Sequence, residues 1–207
     1  MEILLFTLLG YMSGSILYAY WIPKLCCHVD ICKLSPDHNP GTANAFTYGG
    51  FYAGTAALLL ELGKGFLPVF MAGRFVPVNS LGFVPILVAP VLGHAFPLMN
   101  RKKGGKAIAT SFGVLLGLYP LAAPVLFLAA SYLVFSLVVV IDPHLFRSII
   151  TFGATALLNF LFTPIVTVSI AFLLIAGIVI YKHAQAFQGE KLTLRLQPIS
   201  RWHSTRK

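Results

Sequence analysis

At 207 residues, 57% hydrophobic and only 10% charged, the chain carries too little polar surface to cover a water-soluble globule of its size. Its formal charge of +9 sits in short loops and a tail between apolar stretches, so membrane topology and anionic lipid headgroups account for it better than nucleic acid does. No nucleic-acid partner is expected, and the composition is that of an all-α integral membrane protein.

Taking about 20 apolar residues as one crossing, the sequence predicts spans near 3–22, 51–72, 81–98, 121–141 and 164–181. Met1-Glu2 is not a basic leader, and the first apolar stretch runs on as a span, so no cleavable signal peptide is expected. The loop that follows holds Cys26, Cys27 and Cys32 beside His28. An adjacent pair with a third cysteine further on lacks the paired Cys-x-x-Cys spacing of a zinc site, so reduced thiols and no metal are expected. The same loop continues as Pro36-Asp37-His38-Asn39-Pro40-Gly41-Thr42-Ala43-Asn44. Proline, glycine and asparagine give it a tight backbone, and Asn39 and Asn44 either contact a ligand or cap their own turn.

The second span carries Glu61 and Lys64-Gly65 among apolar residues. Charges inside a membrane are costly and are usually paired or functional. Three apart on one helical face, these two either neutralise each other or meet a substrate.

The most informative stretch runs from Gly93-His94 through Phe96-Pro97 and Arg101-Lys102-Lys103-Gly104-Gly105-Lys106 to Ala109-Thr110. Cations alone read as a positive-inside anchor. Gly104 and Gly105 add a backbone that an anion can approach closely, just before the free amides of a new helix, which is chemistry for holding phosphate. Two apolar pieces, 107–119 and 147–162, are short or interrupted and rich in small and polar residues, which suits half-depth or tilted helices inside a bundle. His183 closes the last span, either as a topological residue or as part of the face that holds His94 and the glycine turn. With the two short pieces, the termini fall on opposite sides. Nearly all loop cations collect on one side and Arg74 alone lies on the other, which predicts an outside N-terminus and a cytoplasmic C-terminus. Residues 1–190 form one transmembrane unit, and 191–207 form a basic cytoplasmic tail with Trp202 as an interface anchor.

At these residues the chain resembles the bacterial acyl-phosphate-dependent glycerol-3-phosphate acyltransferases, the PlsY type, from about Gly14 to Glu190. The motif from Gly93-His94 to Ala109-Thr110 carries most of the likeness. Lys64-Gly65 resembles a second motif, with Glu61 where aspartate is usual. Gly14-Ser15-Ile16, Asp30-Ile31 and Asn39-x-Gly41 with Asn44 resemble the first, and His183 with Gly189-Glu190 the C-terminal one. The chain is divergent: Cys32 and Thr47 replace arginines, Ser35-Pro36-Asp37-His38 replaces a Gly-Ser-Gly, and Ala186 replaces an asparagine.

The resemblance implies a seven-helix bundle with short or broken helices in a bacterial plasma membrane, its site on the cytoplasmic face. It implies transfer of an acyl group from acyl phosphate to glycerol-3-phosphate, without a cofactor, by a monomer or weak oligomer in the bilayer. Lys103, Gly104, Gly105 and Lys106 would cradle one phosphate, and Lys64, Asn39 and Asn44 the other phosphate or the glycerol hydroxyls. Ser15, Gly41, Glu61 and Thr110 complete the binding set. His94 would move a proton or stabilise the leaving group, with His183 the lesser candidate. A non-catalytic or altered-acceptor paralogue that binds phosphorylated lipid precursors is the alternative, followed by a transporter of small phosphorylated anions.

Overall fold

The computed structural model describes residues 1–98 and 104–196. Lys103, the cations Arg101 and Lys102, and Trp202 therefore lie outside the described residues. In chain order the elements are α1 (Glu2–Gly14), α2 (Tyr18–Cys26), α3 (Ile31–Leu34), α4 (Thr42–Ala72), α5 (Phe83–Ala95), α6 (Ile108–Leu116), α7 (Ala123–Leu133), which runs on as a π turn (Val134–Val138), then β1 (Val139–Asp142), α8 (His144–Phe162), α9 (Val166–Gln185) and β2 (Thr193–Leu196).

Every expected apolar segment falls on helix. By length and apolarity, four stretches among the described residues reach across a membrane: Glu2–Cys26, Thr42–Ala72, His144–Phe162 and Val166–Gln185. The α5 helix and the α7 unit are shorter, and α6 has only 9 residues. Three expectations need correction. The piece at 147–162 is not interrupted but belongs to a continuous helix of 19 residues. The span near 121–141 stops being helical at Val138, and Val139–Asp142 pairs antiparallel with Thr193–Leu196, so the start of the tail is a strand. Arg147 secures β1 by donating from Nε to the Ile141 carbonyl at 2.9 Å and pairing with Asp142, a local role beyond topology.

Two of the long elements are broken where the sequence lets them break. Between α1 and α2 the chain leaves helical geometry at Leu17. Within α4, Gly50 takes φ 83° and ψ 177°, a backbone that glycine reaches without a side-chain clash. Residues 42–49 thus form a short arm, and the expected span begins at Phe51.

Helix crossings explain the glycine and small-residue content. The α1 helix lies on α5 so closely that a β-carbon on Gly14 would stand 2.1 Å from the Pro90 carbonyl oxygen, and one on Gly93 2.2 Å from that of Tyr11. The α4–α6 crossing is as tight, with a β-carbon on Gly113 falling 2.1 Å from the Leu62 carbonyl oxygen. Backbone contact of this kind suits a bilayer, where lipid tails are as apolar as leucine and close packing must drive association. On the other side α8 and α9 enclose Phe152 and Phe172, stacked with centroids 5.7 Å apart.

The glycine crossing makes a testable contrast. Gly113→Ala is expected to cost about 1–3 kcal/mol by overpacking, seen as a lower thermal midpoint in detergent. Gly153→Ala, whose β-carbon meets nothing within 4 Å, should leave the midpoint unchanged or raise it.

Candidate functional site

The site grows from one carboxylate. Glu61 is 1% exposed, one face inward on α4, and both its oxygens are occupied. Oε1 accepts from the Ala19 amide at 3.1 Å, and Oε2 lies 2.7 Å from Lys64 Nζ, 3.0 Å from His94 Nδ1 and 3.2 Å from the donating Thr110 hydroxyl. Lys64 Nζ also donates to the Ile16 carbonyl at 2.6 Å and lies 2.8 Å from His94 Nδ1. The break between α1 and α2 makes this possible, since it frees the Ile16 carbonyl and the Ala19 amide from the helix ladder. A buried ammonium and carboxylate tolerate loss of water only when remaining donors and acceptors are met. Here α2, α4, α5 and α6 each supply a partner.

The glycine turn seats itself on this cluster. The Gly105 amide donates to the His94 carbonyl at 3.1 Å. A β-carbon on Gly105 would fall 2.2 Å from His94 Nε2, and one on Gly104 would fall 2.0 Å from the Ala95 carbonyl oxygen. Both glycines are required by packing against the end of α5, apart from any ligand. Ala107 then takes φ 60°, ψ 14° at the start of α6, a left-handed conformation uncommon for a residue with a β-carbon.

In front of the cluster lies a cavity of about 160 Å³. Glu61 and His94 form its floor, the first residues of α4 (Thr42 to Asn44) and of α6 (Ile108 and Ala109) bound it, and Tyr132, His144 and His183 make the opposite wall. Two helix starts therefore direct unpaired amides and positive dipole ends at one space. Lys106 reaches it too, held 2.8 Å from Asp37 Oδ2. Asn44 donates to Asp37 Oδ1 and to the Asn39 carbonyl, both at 2.9 Å, so the two asparagines brace their own loop while lining the cavity. Burial acts to raise the Asp37 pKa, but hydrogen bonds from Lys106 and Asn44 outweigh it and hold the carboxyl at about 2.

The structure sorts the sequence-derived candidates by depth. Asn39, Gly41, Asn44, Glu61, His94, Lys106 and His183 line the cavity. Lys64 and Thr110 stand behind it through Glu61, and Gly104 and Gly105 behind it through His94. Ser15 faces away, its hydroxyl donating to the Tyr11 carbonyl at 2.8 Å. The two histidines differ in freedom. His94 has Nδ1 against Glu61 and Lys64, and Nε2 against Gly105. His183 Nδ1 lies 2.9 Å from the Val179 carbonyl, which can only accept, so Nδ1 carries the proton and neutral Nε2 keeps its lone pair. Sequence reasoning assigned no role to Asp37, Tyr132 or His144. Asp37 stood inside a quoted motif, and nothing local in the sequence ties it to Lys106.

The buried cluster predicts an asymmetric response to mutation. Glu61→Ala strands the Lys64 ammonium and should cost about 3–5 kcal/mol, read as a large fall in thermal midpoint. The double change Glu61→Gln with Lys64→Met removes both charges and should recover most of that loss. Equal instability of the single and double variants would count against mutual neutralisation.

Comparison with known proteins identifies the family and the fold. A glycerol-3-phosphate acyltransferase family model matches residues 4–190. A glycerol-3-phosphate acyltransferase of Maridesulfovibrio salexigens is 40% identical over 113 residues, 55% of this chain and 57% of the relative. One from Streptococcus pyogenes serotype M1 is 40% identical over 121 residues, 58% and 56% of the two. The chain thus spans just over half the length of the curated relatives it matches. Crystal structures of PlsY (YgiH), an integral membrane glycerol 3-phosphate acyltransferase, superpose with a TM-score of 0.76 over 89% of this chain. The glycerol 3-phosphate form is 28% identical with 90% of that chain covered, and the lysophosphatidic acid form 26% identical with 89% covered. The fold is that of a multi-pass membrane protein, and the family match across nearly all of its helices places this chain in the glycerol-3-phosphate acyltransferase family.

Proposed function

We propose that the protein transfers a fatty acyl group from acyl phosphate to the first hydroxyl of glycerol-3-phosphate, giving lysophosphatidic acid in the cytoplasmic leaflet of a bacterial plasma membrane. The observation that carries this reading is the convergence of two helix starts, Lys106 and three histidines on one cavity. The solved PlsY forms with glycerol 3-phosphate and with lysophosphatidic acid support the acceptor and the product.

Acyl phosphate is already an activated mixed anhydride, so alignment, phosphate neutralisation and removal of one proton suffice. The acceptor hydroxyl oxygen attacks the acyl carbonyl carbon. The bond from that carbon to the bridging oxygen breaks, and inorganic phosphate leaves with the electron pair. His183 takes the hydroxyl proton, a role supported by its available Nε2, while His94 fixes the glycine turn against the cavity floor. His94 stood first in the sequence reading; its Nδ1 is held by Glu61 and Lys64, and the choice of His183 over it is part of this proposal. The amides opening α4 and α6 and the Lys106 ammonium hold the phosphates.

Purified protein should form lysophosphatidic acid with acyl phosphate and not with acyl-CoA or acyl carrier protein, at a rate indifferent to chelators. Lys106→Ala removes a charge-assisted contact worth roughly 1.5–3 kcal/mol and should weaken binding about tenfold to a hundredfold. His183→Ala should lower kcat more than it raises KM, whereas Gly105→Ala should lose activity and thermal stability together. A covalent acyl adduct whose removal by Cys→Ser abolishes turnover would replace direct transfer with an acyl-enzyme route. For orientation, a cysteine introduced at Val78 should label only from outside and one at Lys191 only from the cytoplasm. Labelling of both from one side sinks the proposed topology.

A further inference from the structure

A second cavity, of about 300 Å³, adjoins the first. Its own wall comes from Pro143, Ala186, Phe187 and Glu190, and it shares Asp37, Asn44, Lys106, His144 and His183 with the inner one. Asp37 and Lys106 thus form part of the partition between two spaces. Among the described residues, the pair is also the one place in the site where a carboxylate occupies a cation that has a route to solvent. The side chains of Lys106 and Asp37 are 15% and 34% exposed, against 1% each for Lys64 and Glu61. Solvent and salt reach this pair and screen it in part, whereas they do not reach Lys64 and Glu61. An incoming anion can therefore approach Lys106 and compete with Asp37 for it.

The carboxylate also has the attributes of a bound anion. Both oxygens are engaged: Lys106 Nζ on Oδ2, Asn44 Nδ2 on Oδ1 at 2.9 Å, and the Asn39 amide 3.3 Å from Oδ1. These partners are a cation, a side-chain amide and a backbone amide beside the start of α4, the donor set that a phosphate oxygen would seek. We infer that Asp37 is a resident counter-ion of the phosphate site, which a phosphate ligand must displace from Lys106, so that Asp37 sets the affinity of the cavity for phosphate-bearing ligands. The inference rests on the proposed reading only in taking this cavity to hold phosphate. Exchange of one anion for another leaves the Lys106 charge compensated in both states and makes the free site nearly neutral.

Asp37→Asn separates this role from a simple brace. The asparagine Oδ1 keeps the acceptor for Asn44 and the Asn39 amide, so the loop retains its internal bonds, while Lys106 loses its counter-charge. Inorganic phosphate is titrated calorimetrically into the purified full-length chain in detergent for wild type, Asp37→Asn, Lys106→Ala and the double variant, each checked by thermal melting. Asp37→Asn should bind phosphate about three- to tenfold more tightly, the range expected for releasing a partly exposed pair. The gain should vanish in the double variant. In turnover, Asp37→Asn should lower the KM for glycerol-3-phosphate. Phosphate affinity that is unchanged or weaker in Asp37→Asn overturns the inference, as does a gain that persists without Lys106, or no saturable binding by any variant. Acyl transfer assayed on the same preparations keeps the two readings apart. The phosphate pattern without turnover on any donor upholds the counter-ion and defeats the acyltransferase, while turnover without the pattern does the reverse.

Discussion

One buried ionised cluster determines where four helices must stand. Glu61 is reached by Lys64 from its own helix, the Ala19 amide from α2, His94 from α5 and Thr110 from α6. Removing water from a carboxylate costs several kcal/mol even after relaxation, so each of these partners is needed in its place at once. A helix shifted by a single turn, about 5.4 Å, would leave a charge or a polar atom without a mate. The cluster therefore acts as a register pin for the part of the bundle that carries the site. The breaks in the backbone serve it, since a continuous helix through Ile16 and Ala19 would keep that carbonyl and that amide for its own ladder.

Glycine supplies the other half of this placement. The α1–α5 and α4–α6 crossings bring backbone against backbone, and at the second that spacing lets the short side chain of Thr110 reach across to Glu61. Ser13 donates to the Lys64 carbonyl at 3.0 Å, which ties α1 to the same turn of α4 that holds the cluster. The short α6 follows from this arrangement. It starts at the glycine turn on His94, crosses α4 at Gly113, and ends at Leu116, never needing the length of a full span.

Much of this was legible in the sequence. The apolar segments, the Glu61–Lys64 pair and the Gly-Gly-Lys turn are local patterns, and local patterns are what periodicity and spacing report. What the sequence did not show is mostly pairing between residues distant along the chain. Asp37 and Lys106 are 69 residues apart, and β1 meets β2 across two intervening helices. Gly104 and Gly105 were assigned to phosphate approach, yet their nearest neighbours are His94 and Ala95, a steric reason that no spacing rule contains. His94 was ranked above His183 from its place in a motif, and the partners of each ring nitrogen come only from the structure.

The charges of the site lead to a last point about how it selects a ligand. Lys64, behind the cavity, is paired with Glu61 and Lys106, at the cavity, with Asp37, while the residues that open α4 and α6 bring helix-start amides to the same space. Such amides are fixed by the backbone and need no reorganisation when charge arrives or redistributes, which is where preorganised dipoles outperform mobile side chains. They also favour a tetrahedral anion with several oxygens over a lone carboxylate, because two helix starts offer donors from two directions. Cys32 and Thr47 stand where the PlsY type carries arginine, and this changes the means of recognition. With less bidentate guanidinium pairing, discrimination falls to the shape of the cavity and to the direction of its amides. Under the proposed reading, a site of that kind would depend heavily on the rigidity that the Glu61 cluster and the glycine crossings provide.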